Sequence, residues 1–208
     1  MNIEHWYLSF PLLLLLMIYA GIRNQNKFLK EKEILEQYGF KIEQSVLRFD
    51  YHKIRLPSRK LMRGPLANPI RSIKNKNILI FTWQLRDFPD TRVFCLASAK
   101  EKVFPKFILR PEHIFDKFRQ DIDFEENPEF SKKFFLTSKE HRGSREMVAE
   151  IFQDKSLQET LLKHEKPMNI ESNGKEIFYY WLGKNVEAKD IPEVAAEIEE
   201  LHNTYFDC

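Results

Sequence analysis

Glycine is scarce in this chain, six residues in 208, and the loops that cradle phosphates are built from it. Neither G-x-G-x-x-G nor G-x-x-x-x-G-K-[ST] occurs, so no nucleotide loop of either kind is expected. Cysteine is rarer still. Cys95 and Cys208 make no disulfide framework, and Cys95, inside the apolar run VFCLA, is expected to be a buried structural thiol. The six histidines never fall at H-x-x-H or H-E-x-x-H spacing, and the two cysteines add no pair. No metal or other cofactor is therefore expected. The G-x-S-x-G elbow of a serine hydrolase is missing as well. Net charge is only +2, and no recognition motif accompanies the basic residues, so nucleic acid is not expected as a partner.

Charge is also missing from Trp6 to Ile22, WYLSFPLLLLLMIYAGI, and Arg23, Lys27, Lys30 and Lys32 follow at once. At the helical rise these residues cover roughly 25 Å, close to the hydrocarbon thickness of a bilayer, with Trp6, Tyr7 and Tyr19 suited to the interfaces. Successive leucines from Leu12 to Leu16 favour spanning, and a flat interfacial helix would need a polar face that this run lacks. Pro11 falls in the second turn, where water can still reach the carbonyl it frees. A cleaved signal peptide is opposed by the lack of Lys or Arg before the run and by Ile18 where a small residue belongs. The expectation is one uncleaved transmembrane helix. The flanking positive charges predict that the C-terminal domain lies on the cytoplasmic side.

From Arg23 to Tyr38 helical chemistry continues, with Phe28, Leu29, Ile34, Leu35 and Tyr38 at near-helical spacing and Gly39 as a C-cap. The polar residues Asn24, Gln25 and Asn26 leave room for a hinge. Residues 1–38 are thus read as anchor and juxtamembrane helix, and 41–208 as one domain. Its first part is strand-like. The segments 77–85 and 92–99, with their β-branched and aromatic content, predict an antiparallel hairpin, and 104–112 a shorter strand stopped by Pro111. Residues 113–118 read as one or two helical turns, and 121–138 show no clear period before the apolar Phe134, Phe135 and Leu136. An amphipathic helix from Gly143 with Ser144 as cap should turn Met147, Val148, Ile151 and Phe152 inward. A second helix covers about 156–164. Ser172-Asn173-Gly174-Lys175 predicts a hairpin turn, and Asp190 with Pro192 the start of a last helix with Val194, Ile198 and Leu201 inward. The fold class is α+β: a transmembrane helix, a mostly antiparallel sheet, and C-terminal helices.

Two sequence elements carry a resemblance. Pro105, Phe107, Leu109, Pro111 and Glu112 form P-x-F-x-L-x-P-E, and Asp123, Phe124, Pro128, Glu129, Phe130 and Ser131 form D-F-x-x-x-P-E-F-S. With the later REMVAEIF helix and GKEIFYYWL hairpin, the chain resembles a group of uncharacterised bacterial single-pass membrane-anchored proteins. The resemblance covers about half the chain. It implies a single pass through a bacterial inner membrane, a cytoplasmic domain behind that N-terminal span, and no assigned activity.

Charge is unevenly spread. Arg48 to Lys76 is strongly basic, with Asp50 the single acidic residue, and beyond Glu112 the balance reverses through Asp116, Asp121, Asp123, Glu125, Glu126 and Glu129. Next to an anchor, the basic run suits anionic lipid headgroups, through Arg55, Arg59, Lys60, Arg63, Arg71 and Lys74. The acidic loop begins like a calcium loop, but Glu126 and Lys132 stand where that loop needs glycine and a bidentate glutamate. It is read as a solvated loop with Phe124 and Phe130 packed beneath it. His113 and Asp116 are read as surface or capping residues at a helix start. The expected function is a non-enzymatic membrane-anchored interaction module with an unidentified protein partner. The alternative is a membrane-tethered hydrolase using carboxylates of the Asp121 to Glu129 loop, with or without a metal.

Overall fold

The computed structural model describes residues 6–42, 62–65, 70–72, 78–85, 91–97, 104–118, 121–138, 142–184 and 186–206. Helix α1 (Trp6–Gln37) runs without a break through Asn24, Gln25 and Asn26, where the sequence left room for a hinge. These residues cost a helix only tenths of a kcal/mol each, too little to stop one already propagating. Lys32 and Glu36 pair across one turn, and Gly39, at φ 82°, ends the helix as the left-handed C′ residue.

Among the described residues nine strands follow: β1 (Phe40–Ile42), β2 (Met62–Pro65), β3 (Ile70–Ser72), β4 (Ile78–Leu85), β5 (Thr91–Ala97), β6 (Phe107–Pro111), β7 (Phe134–Ser138), β8 (Asn169–Ser172) and β9 (Glu176–Tyr180). They form one sheet in the order β1-β3-β4-β5-β9-β8-β6-β7, with β2 also against β4, and every pairing is antiparallel. The β4–β5 hairpin pairs Ile80 with Phe94 and Phe81 with Val93. Gly174, at φ 97°, turns β8 into β9. The backbone N–H groups of Lys175 and Glu176 donate to Asn173 Oδ1, so the Asn-Gly pair closes the turn as the sequence predicts.

Strand alternation sends two sets of side chains to opposite faces. Ile80, Phe94, Phe107, Leu109, Ile170 and Tyr179 enter the main core. Covering them are α3 (Arg142–Phe152), α4 (Lys155–Lys163) and α5 (Ile191–Tyr205), through residues such as Val148, Phe152, Leu161, Val194, Ile198 and Leu201. Leu35, fully buried, belongs to the same core. Arg92 on β5 makes an ion pair with Glu31 of α1. The last turns of α1 are therefore packed onto the sheet. On the other face Phe81, Val93, Cys95, Phe178 and Tyr180 form a smaller cluster, and Cys95 is buried there.

Several local expectations shift. Helix α3 starts at Arg142, so Ser144 lies within its first turn rather than capping it. Met147 is half exposed while Val148 and Phe152 are buried. Asp190 has helical backbone and makes no side-chain capping bond. The stretch without clear period holds a short helix, α2 (Pro128–Lys133), capped by Asn127 with Pro128 in its first turn, before β7 begins.

Candidate functional site

Strand β6 ends at Pro111, and a 3-10 turn, Ile114–Phe118, follows. Arg110 ties that turn to the sheet edge. Its guanidinium lies 4.4 Å over the Phe135 ring and donates to both carboxylate oxygens of Asp116, at 2.6 and 2.5 Å. Asp116 also accepts the His113 backbone N–H at 2.8 Å and is only 3% exposed. This bidentate fork, with one partner buried, fixes the turn's geometry. The pair His113 and Asp116 thus meets through backbone and carboxylate, as a cap, and the His113 ring stacks on Phe115 at 5.3 Å instead. The clamp leaves Ile114 75% and Phe115 70% exposed, an apolar knob on a rigid turn.

A second rigid piece faces it. In the loop from Asp121, Ile122 is buried and its N–H donates to the Leu136 carbonyl. Phe124 packs edge-on against Phe130 at 5.8 Å, and its N–H donates to Ser131 Oγ at 2.8 Å. Asn127 Oδ1 accepts from the Phe130 N–H, while its amide donates to Gln158 at 2.7 Å. Arg145 donates to the Asp121 carbonyl. Phe124 and Phe130 are thus the packed anchors that the sequence predicts, and Asp123 and Glu125 stand exposed.

Between turn and loop lies a cleft of about 660 Å³, lined by Glu112, His113 and Ile114 on the β6 side and by Asp123, Phe124 and Glu125 on the loop side. Pro128 and Lys132 complete it. Partial burial, and then the neighbouring Asp123, hold the Asp121 carboxyl above its ordinary range. Negative charge is thus already crowded at the loop's base. A smaller cleft of about 330 Å³ lies behind the same loop, against Ala149, Gln153 and Gln158. Among the described residues, no three His, Cys, Asp or Glu side chains converge as a metal site requires.

The interior holds two polar pairs that the sequence does not announce. Tyr179 hydroxyl and His202 Nδ1 meet at 2.9 Å, with burial pushing the Tyr179 hydroxyl well above its ordinary pKa. On the other face the Tyr180 hydroxyl donates to buried Glu171. Only the sheet pairing and the packing of α5 bring these partners together, so no spacing in the sequence could mark them.

Of the basic residues assigned to lipid contact, Arg55, Arg59, Lys60 and Lys74 lie outside the described residues. Arg63 is on β2 and Arg71 on β3, both paired with β4, at the end of the sheet that carries β1 and α1. The Ile114–Phe115 turn leaves β6, next to the opposite edge. Along α1, the apolar residues from Leu12 to Tyr19, and Ile22, are each 49% to 66% exposed. Among the described residues no helix is long and apolar enough to cross a membrane. The exposed apolar stretch from Pro11 to Ile22 is shorter than the ~20 residues of a span. No family model, no curated protein and no solved structure matches this chain.

Proposed function

We propose that this protein is a non-enzymatic interaction module held by a single transmembrane helix, its α+β domain standing on the cytoplasmic side of a bacterial inner membrane. One observation carries the reading. The same unbroken helix is apolar and open to its surroundings at Leu12 to Ile22 and enters the domain core at Leu35. A continuous strip of exposed leucines has no favourable place in water. Trp6 to Phe10 extend it to nearly the length a bilayer needs. Arg23, Lys27, Lys30 and Lys32 supply the positive flank, and the basic residues Arg55, Arg59, Lys60, Arg63, Arg71 and Lys74 would meet anionic headgroups. The observed site also suits binding better than chemistry. Asp123 and Glu125 are exposed, and Asp116 is held by Arg110.

Alkaline carbonate extraction of bacterial membranes tests the anchor. The full chain should stay in the pellet, and a chain starting at residue 23, which keeps Leu35 and its packing, should be released unless low salt and anionic lipid retain it. Release of the full chain, or a mature protein beginning near Gly21, would overturn the anchored reading.

A further inference from the structure

We propose that the cleft between the Ile114–Phe115 turn and the Asp123–Glu125 loop receives a short basic segment of a partner protein, one that alternates Lys or Arg with apolar side chains. The proposal rests on the interaction-module reading and names the chemistry of the partner. Three features of the site converge on it. The apolar pair Ile114 and Phe115 is exposed because the Arg110–Asp116 clamp holds the turn out, so this surface is presented in a fixed shape and binding loses little ordering entropy there. Ile114, Phe124 and Pro128 line the same cleft, which gives an incoming apolar side chain a seat of matching chemistry.

The charges choose among occupants. Glu112, Asp123 and Glu125 crowd negative charge along the cleft against Lys132, and Asp123 adds its repulsion to the burial that holds Asp121 above its ordinary range. Cationic heads relieve that crowding, whereas an acidic segment or an anionic bilayer adds to it. Position agrees. The cleft is beside β6 and β7 at one end of the strand order, and α1 meets β1 at the other end and β5 in the middle, so in the anchored protein the site stands clear of the helix that holds it.

The test uses the full chain in zwitterionic lipid nanodiscs and a fluorescent synthetic peptide of alternating arginine and leucine, with binding to protein-free nanodiscs subtracted. Saturable binding that weakens with salt is expected. Asp123→Lys combined with Glu125→Lys should weaken it by roughly tenfold or more, and so should Ile114→Ser combined with Phe115→Ser. All four side chains are exposed or at the rim, so the fold should survive, which circular dichroism checks. A peptide with serine in place of leucine should bind at least ~10-fold less tightly, and a glutamate–leucine peptide should not bind. Equal affinity for wild type and both double variants overturns the proposal, as does equal binding of the serine peptide. A chain that stays in the carbonate pellet yet binds no peptide defeats this inference alone. A chain that is released yet binds the peptide defeats the anchor and leaves the cleft assignment standing.

Discussion

His164 closes α4 and lies at the edge of the main core, its ring edge-on to Trp181 at 5.8 Å. Glu197 Oε1 is 3.6 Å from its Nε2, a distance that suggests an ion pair. Burial nevertheless dominates and holds the imidazole below its ordinary pKa, with Lys184 and Lys133 acting in the same direction against Glu197. The contact is therefore mainly that of a neutral ring. Because the folded pKa lies below the unfolded one, the unfolded chain takes up the proton first as pH falls. Stability is then full above about pH 6.5 and declines as pH drops from there through the folded value. Thermal unfolding of the fragment 23–208 from about pH 8 to about pH 5 should show that decline, and His164→Gln should flatten it. Parallel slopes in the two proteins would assign the pH dependence elsewhere. Nothing in the sequence marks His164 as partly buried, because its surroundings come from α2, α5 and the segment after β9.

At the scale of elements, what could be read from the sequence is what local chemistry decides. Alternation fixes β4 and β5, and Asn173-Gly174 fixes the β8–β9 turn because a left-handed residue is needed there. The same logic could have found α2, since Asn127 before Pro128 is a helix-start signature, but the acidic residues around it drew the reading toward a loop. The strand order was not legible. Strand β6 pairs with β8 across some sixty residues, Leu109 to Ile170, and only packing of the helices between them chooses that partner. The exposed turn after β6 was hidden for a similar reason: residues 113–118 read only as one or two helical turns, and the Arg110–Asp116 clamp that leaves Ile114 and Phe115 exposed has no local signature. Asp116→Ala should cost about 3 kcal/mol in urea unfolding, the low end for a broken buried pair because Arg110 retains a path to water. It should also open the turn to proteolysis near Phe115. An unchanged midpoint would mean that Phe135 alone positions Arg110.

For the molecule as a whole, the unbroken α1 sets how the domain is carried. Phe28 and Leu35 touch the core and Glu31 binds β5, so the first contact between helix and domain comes six positions after Ile22. In the anchored arrangement that is a stand-off of roughly 9 Å along the helix, with Leu35 near 20 Å. Both heights are at or beyond the ~8 Å over which physiological salt lets headgroup charge act, so a basic residue of the domain would have to lie below these points to meet the headgroups. A flexible tether would let the domain find its own height and heading; a helix does not. Each residue inserted between Arg23 and Lys27 raises the domain ~1.5 Å and swings it ~100° about the helix axis. Insertions of about two residues should therefore turn the cleft to the far side and impair binding to any partner fixed in the same membrane. An insertion of about seven lifts it ~10 Å but returns nearly the original heading. Partner capture that oscillates with insertion length would show that the helix works as an indexed mount, and a monotonic loss would show that height alone matters. In the proposed anchored arrangement the cleft's heading would thus be set by the pitch of a helix that does not line it.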